Sequence, residues 1–168
     1  MGYTNDTAMS QFIAASEMQM TAGTWTPTLA SNTIGQVRTA EATTFNLFVP
    51  VLIPGNSVAL KGCRLKSVEL LYKVATAALT SVTTVELEKM TATSAGAITG
   101  AAVTCTIDSG HTTTALRVTL ADHRMTVNVT TPEWVDNDVA YWLYVTFSAP
   151  ATTVLTIWGA VVNYDLRV

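Results

Sequence analysis

Two long apolar runs near the C-terminus constrain the fold more than any other feature of the chain. They span residues 139–147 and 153–167, and Pro150 stands in the link between them. Both runs are rich in β-branched and aromatic residues, which favours strands. A strand with one face in water would alternate apolar and polar residues, whereas these runs are apolar on both faces over most of their length. We therefore predict a long hairpin that lies centrally in a sheet or has its second face covered by another subunit.

The order of side chains in the first run assigns them to two faces, because successive side chains of a strand point to opposite sides. Four of them are expected to face the interior of the fold: Tyr141, Leu143, Val145 and Phe147. Trp142 and Tyr144 stand on the other face. These two aromatic residues are expected to lie on a covered face or to form a subunit contact in an oligomer.

The composition favours an all-β protein with a largely uncharged surface. The chain has 168 residues, enough for one domain with a hydrophobic core. Hydrophobic residues make up 49% and charged residues 12%, against about 25% charged in a typical soluble domain. Threonine, which has a high β propensity, occurs 30 times. Disorder requires low hydrophobicity and high charge and is therefore excluded, and the charge-poor surface indicates burial in an assembly.

Residues 31–168 predict an antiparallel β-sandwich domain. The pattern indicates about eight strands with turns at short spacing, which is typical of a jelly-roll-like sandwich. An up-and-down barrel is the alternative, and the irregular loop lengths favour the sandwich. Pro50 indicates a free edge or a break in the strand at residues 43–53, because proline has no N–H for the ladder.

Residues 1–30 predict an extended N-terminal arm that precedes the sandwich. Ser10 is placed to cap a short helix, which would be marginal without a partner surface. The arm offers five residues that we expect to bind such a partner: Phe12, Ile13, Met18, Met20 and Trp25. Pro27 confines the end of the arm to an edge strand or an extended strap.

The residues that could carry chemistry are few, and we predict a protein that is not an enzyme and uses no metal or cofactor. Asp108 and His111 share one tight turn, where an aspartate side chain usually bonds the following amides. His123 is expected to make a hydrogen bond across strands or between subunits, because one histidine beside one aspartate falls short of a metal site. The chain has no phosphate-binding loop and no G-x-S-x-G motif.

Charge, hydropathy and cysteine content argue against nucleic-acid binding, membrane insertion, secretion and a disulfide bridge. Net charge is −3, and the densest basic cluster is Lys61, Arg64 and Lys66, so nucleic-acid binding is not expected. No apolar run is long enough for a membrane helix, and the N-terminus lacks the charge and apolar core of a signal peptide. Cys63 and Cys105 are expected to be two buried thiols rather than a disulfide bridge.

Trp134 is the tryptophan that we expect to be exposed, since it lies in a turn-rich crossing between strands. Exposed aromatic rings can bind the faces of sugars, so this residue and the loop at 133–138 form a candidate glycan platform. Trp142 and Trp158 stand among apolar neighbours inside strands, where packing is the usual role.

The stretch from Gly62 to Val168 resembles small virion structural proteins of tailed bacteriophages. The features that carry the resemblance are LKSVELLYKV at 65–74, ADHRMTV at 121–127, PEW at 132–134 and GAVVNYDLR at 159–167. The resemblance implies a jelly-roll-like capsid decoration (cement) protein, or a head-fibre or tail component. Such proteins often form homotrimers on the shell and reach their neighbours with an N-terminal arm.

Two functions are therefore expected from the sequence. The first is a structural protein on the capsid surface of a virion, made in the host cytoplasm, which binds the major capsid protein or other virion proteins as a homotrimer. The alternative is a glycan-binding β-sandwich module of a phage fibre or tail, with its site at Trp134.

Overall fold

The protein folds into two antiparallel sheets that pack face to face as a β-sandwich. The computed structural model describes residues 5–30, 32–55 and 62–167, and all bounds below refer to those residues. The large sheet contains β1 (Asp6–Ala14), β3 (Trp25–Ala30), β4 (Thr33–Arg38), β6 (Gly62–Ala75), β9 (Cys105–Ile107), β10 (Asp122–Val129) and β12 (Val154–Arg167). The small sheet contains β2 (Gln19–Met20), β5 (Thr43–Val51), β7 (Ser81–Ala92), β8 (Ile98–Val103) and β11 (Val139–Ala149).

The predicted all-β antiparallel sandwich is confirmed, with twelve strands in the described residues rather than about eight. Several of the additional strands are short or come from the N-terminal segment. Helical structure among the described residues is limited to a 3₁₀ turn at Ala15–Glu17 and one α-helical turn, α1, at Thr114–Arg117.

Strand β12 is the central strand of the large sheet. One of its edges pairs with β6 from Val154↔Ala75 to Arg167↔Gly62. The other edge pairs with β4 at Leu155–Ile157 and with β1 from Ala14↔Gly159 onward. The register shifts between Ile157 and Gly159, which marks a bulge at the point where β4 gives way to β1. Strand β11 has the same central place in the small sheet, between β5 and β7.

The predicted C-terminal hairpin is wrong, because β11 and β12 lie in different sheets. Each strand is paired along both of its edges, so neither has an edge left for the other. The link that begins at Pro150 therefore carries the chain from the small sheet to the large one. The predicted central position of both strands and the inward face of β11 are confirmed, since Tyr141 is 5% exposed and Leu143, Val145 and Phe147 are fully buried.

The N-terminal segment belongs to the sandwich, and the predicted short helix near Ser10 is wrong. Residues Asp6–Ala14 form β1 on the open edge of β12, and the chain then crosses to the small sheet through the 3₁₀ turn and β2. A short isolated helix gains little, whereas β1 satisfies its backbone against β12. The same pairing turns Ile13 into the core, where it is fully buried.

Gly159 is the tightest point of this arrangement. Its φ is +154°, and a Cβ built on it would lie 2.6 Å from the carbonyl oxygen of Ile13 and 2.4 Å from the Phe12 ring. The ring can move, but the carbonyl belongs to the backbone of β1. The bulge in β12 therefore requires glycine at the junction with β1.

We predict that Gly159→Ala lowers the free energy of unfolding by about 2–3 kcal/mol, through overpacking and backbone strain. Urea unfolding followed by tryptophan fluorescence measures the change. Ser10→Ala, at an exposed position of β1, is the control and is expected to stay within about 0.5 kcal/mol. Equal stability of the Gly159→Ala protein and the wild type would contradict the packing described here.

Candidate binding site

The outer face of the small sheet carries an open groove lined by aromatic side chains, called the aromatic groove below. Its volume is about 320 Å³. Side chains from β2, β5, β7 and β11 line it: Gln19, Phe48, Glu88, Met90, Trp142 and Tyr144. The groove therefore lies across the middle of the sheet, on the face that points away from the hydrophobic core.

The strand register brings the aromatic rings together. Tyr144 lies opposite Phe48 on the neighbouring strand, and the two rings stack with centroids 5.2 Å apart and an interplanar angle of 18°. Trp142 is two residues away on the same face, between Pro50 on β5 and Glu88 on β7. All three rings are half-buried, so they keep surface for a ligand.

Polar groups hold the rings in place and add hydrogen-bonding capacity. The Tyr144 hydroxyl donates to the side-chain oxygen of Asn46 at 3.2 Å, and the Thr146 hydroxyl donates to the same oxygen at 3.0 Å. Glu88 and Gln19 bring a carboxylate and an amide to the lining. Among the described residues no Lys or Arg lines the groove, so its chemistry combines apolar ring faces with neutral and acidic polar groups.

Two of the six residues that line the groove were predicted from the sequence to lie on this face. Trp142 and Tyr144 were expected on a covered or contact face, and the structure places both on the outer face of the small sheet. Phe48 was missed. Phe45, Leu47 and Val49 point inward along β5, so the alternation of the strand already places Phe48 on the outer face. Gln19 was missed because the N-terminal segment was not expected to enter the sheet.

The Trp134 ring is in contact with Arg64 and Arg167, so it is not the open glycan platform that the sequence predicts. It forms an isolated bridge with Arg64, whose guanidinium carbon is 5.2 Å from the indole centroid. The guanidinium carbon of Arg167 is 4.5 Å from the same centroid. Cation–π contacts of this kind occupy the ring surface that a sugar would need.

Carboxylates fix those arginines. Arg167 donates to Asp6 at 2.5 and 2.9 Å, and Arg64 donates to Asp165 at 2.8 Å. The hydrogen bond from Arg167 holds the pKa of the Asp6 carboxyl below its usual 3.8. Lys66 lies 3.5 Å from Asp165, so the two described members of the predicted basic cluster are ion-paired, and Lys61 lies outside the described residues.

The five residues predicted to bind a partner from the arm are mostly unavailable. Ile13 is fully buried and Met18 is 7% exposed, both within the core, so their assignment to a partner surface is wrong. Met20 and Trp25 pack against that core, and Trp25 meets the Phe45 ring edge-on at 5.4 Å. Phe12 is the exception, with 57% of its surface exposed.

His123 is also buried rather than placed at a subunit contact. Its ring is 7% exposed and stacks on Tyr72 at 4.5 Å. His123 Nδ1 lies 3.2 Å from His111 Nε2, and its Nε2 lies 2.9 Å from the carbonyl oxygen of Thr119. His111 Nδ1 in turn lies 2.9 Å from Asp108 Oδ1. All four ring nitrogens thus have partners within the chain.

Asp108 forms the predicted turn. Its carboxylate accepts from the amide of Gly110 at 2.9 Å and from the amide of Thr126 at 2.7 Å. Burial alone would raise the pKa of this carboxyl, but the hydrogen bonds from Thr126, His111 and Gly110 outweigh it and hold the pKa below 3.8. The group therefore ties the turn to β10.

The two cysteines are not joined to each other. Cys63 lies on β6 and Cys105 on β9, with β10 between them. Two strand spacings amount to about 9–10 Å, which exceeds the reach of a disulfide. Burial raises the pKa of both thiols.

Neither a metal-ligand cluster nor a membrane-spanning helix is found among the described residues. Across residues 5–30, 32–55 and 62–167, no three His, Cys, Asp or Glu side chains are grouped to hold a metal ion. The described helices are too short and too polar to cross a membrane.

Comparison with known proteins gives only distant likenesses. No family model and no curated protein matches the chain. Among solved structures, TmCBM61 in complex with β-1,4-galactotriose has a TM-score of 0.34 and 12% identity, over 96% of this chain and 88% of that one. The arabinose-bound α-L-arabinofuranosidase MgGH51 has a TM-score of 0.40 and 10% identity, over 91% of this chain and 24% of that one. Likenesses this distant transfer neither a ligand nor an activity.

We predict that Asp108→Asn lowers the free energy of unfolding by about 1–3 kcal/mol at pH 7, because charge-assisted hydrogen bonds are lost. A depressed folded-state pKa gives stability that is present above the unfolded-state pKa and is lost as pH falls through the folded-state value. The difference between variant and wild type should therefore shrink as pH falls below 3.8.

Urea unfolding at a series of pH values measures this difference. Asp122→Asn, at an exposed aspartate of β10, is the matched control and should change stability little. A difference that stays constant down to pH 2 would contradict the role given to the Asp108 carboxylate.

Proposed function

We propose that this chain is a non-catalytic, carbohydrate-binding β-sandwich that takes a neutral glycan in the aromatic groove. The observation that carries the proposal is the placement of Phe48, Trp142 and Tyr144 together in one open groove, beside Gln19 and Glu88. Aromatic side chains turned to the outer face of a sheet gain nothing from the protein's own core. A ligand or partner with apolar faces and polar edges would cover them.

Sugar rings have that character. Their C–H faces stack on aromatic rings, and their hydroxyl groups can donate to the Glu88 carboxylate and exchange hydrogen bonds with the Gln19 amide. Ligand sites usually combine apolar walls with a few placed polar groups in this way. A volume of about 320 Å³ accommodates a short stretch of a glycan.

The charge of the lining favours neutral sugars. Within the part of the chain that the structure describes, Glu88 carries the one formal charge in the lining, and it is negative. Nucleic acids and acidic sugars would meet that carboxylate without a cation to offset it. The proposal assigns no catalytic step, and the ring nitrogens of both histidines contact groups within the chain.

We predict that the wild-type protein binds neutral oligosaccharides on a glycan array and that Trp142→Ala weakens the binding at least about tenfold, or about 1.4 kcal/mol. Isothermal titration with the best array ligand measures the affinity. Trp134→Ala is the matched control and should keep the affinity, because that ring is occupied by Arg64 and Arg167. Circular dichroism checks that both variants are folded.

The opposite pattern would remove the proposal. Loss of sugar binding in Trp134→Ala with retention in Trp142→Ala would move the site to the crossing loop. An array on which the folded wild-type protein binds no glycan would remove the function altogether.

A second candidate is a virion structural protein that decorates a capsid shell, as the sequence resemblance implies. The observation that favours it is an apolar cavity of about 600 Å³ lined by residues that include Phe12, Ile34, Leu71 and Trp158. Phe12 is 57% and Ile34 is 73% exposed, and large exposed apolar patches often mark protein contacts.

We predict for this candidate that Phe12→Ser combined with Ile34→Ser abolishes co-sedimentation with shells assembled from a major capsid protein. Removing apolar surface from the contact would cost several kcal/mol at about 25 cal/mol per Å². Trp142→Ala, on the other sheet, is the control and should co-sediment like the wild type. Co-sedimentation that survives the double substitution would count against this surface.

A further inference from the structure

Strand β8 is an edge strand of the small sheet. It pairs with β7 from Leu87↔Val103 to Ala92↔Ile98, and none of the described residues pairs with its other edge. The strand is well outside the core, since the first five of its six residues are exposed. Its second edge therefore presents backbone groups to the surroundings.

The turn before β8 shows which residues these are. Thr93 N donates to Ala97 O at 2.8 Å, which makes this a hydrogen-bonded pair of the β7–β8 ladder. In an antiparallel ladder the bonded residues alternate, so Thr99, Ala101 and Val103 also direct their backbone groups toward β7. Ile98, Gly100 and Ala102 direct their N–H and C=O groups to the open edge.

Three other edge strands, β2, β3 and β9, carry features that discourage pairing, whereas β8 has none of them. Edge strand β3 contains Pro27, which has no N–H. Strands β9 and β2 have three and two residues. Strand β8 has six residues with neither a charge nor a proline.

We propose that two copies of this chain associate through their β8 strands, antiparallel, about a two-fold axis at Gly100. The axis is perpendicular to the sheet, so the core faces of both copies stay on the same side and opposing residues share one face. In this register Ile98 faces Ala102 of the second copy, and Gly100 faces Gly100 of the second copy. The three pairs exchange two hydrogen bonds each, six in all.

The side chains suit this self-pairing. The absence of a side chain at Gly100 lets the two strands meet at the axis without a clash, and a Cβ there would have open space around it in the single chain. Ile98, which is 64% exposed, would cover the small Ala102 of the second copy on the outer face. No like charges approach, because the strand carries none. In a second copy, Ala102 is the small residue that Ile98 needs opposite it, and Gly100 leaves room at the axis.

The pairing would join two five-stranded sheets into one sheet of ten strands. Both aromatic grooves would then lie on the same outer face, with the two β11 strands five strand spacings, or about 24 Å, apart. Where the proposed sugar binding holds, the dimer would bind a polysaccharide chain bivalently. The dimer itself does not depend on sugar binding, so its failure and that of the proposed function can be told apart by mass alone.

Light scattering coupled to size-exclusion chromatography tests the dimer. The wild-type protein should show twice the chain mass of 17.9 kDa. Ala102→Pro should run as a folded monomer, because proline removes an N–H that points to the open edge and breaks no bond to β7. Ala102→Ser keeps this N–H and is the matched control, expected to remain a dimer. A monomeric or trimeric wild type, or a dimer that survives Ala102→Pro, would overturn the proposal.

Cysteine cross-linking tests the register, in a background that carries Cys105→Ser. Gly100→Cys should form a disulfide-linked dimer under oxidation, since bonded residues in an antiparallel pair have Cα atoms about 5.5 Å apart. Ile98→Cys is the matched control on the same face. Its two copies would be four residues out of register, more than about 13 Å apart, and should not link. Linking at position 98 and not at 100 would overturn the register.

Discussion

The pairing of β12 along both of its edges is the interaction on which the rest of the structure depends. Strand β6 takes one edge, and β4 and β1 share the other on either side of the bulge at Trp158. A strand paired in this way has side chains of neighbouring strands along both of its edges, and each of its residues is buried or half-buried. The same arrangement draws the N-terminal segment into the sandwich and sends β11 to the other sheet. The shape of the molecule therefore follows from one strand with no free edge.

The sequence predicts the sheets better than the connections between them. Alternation in the run at 139–147 correctly assigns the inward residues, and Pro50 lies beyond Phe48, where the pairing of β5 with β2 ends. The hairpin prediction failed because adjacency in sequence was taken for adjacency in the sheet. The helix prediction at Ser10 failed because local propensity does not reveal that β12 offers an open edge. Pairing partners are tertiary information, and no local pattern in residues 6–14 contains them.

In the candidate site, too, the sequence predicts which face a residue occupies but not which residues meet there. Trp142 and Tyr144 could be placed on the outer face by counting residues, and Phe48 could have been placed by the same count in its own strand. Their meeting in one groove depends on the register between β5 and β11, which the sequence does not display. Trp134 appeared to be the open aromatic residue because it lies in a loop. The arginines that cover it come from β6 and β12, more than thirty positions away on either side.

We propose that the aromatic groove, and not the crossing loop at 133–138, meets the ligand. Titration of ¹⁵N-labelled protein with a neutral oligosaccharide, followed through the tryptophan indole N–H signals, tests this claim most directly. We predict that the Trp142 signal shifts with saturation while the Trp134 signal stays in place. A saturable shift at Trp134 with an unmoved Trp142 would contradict it.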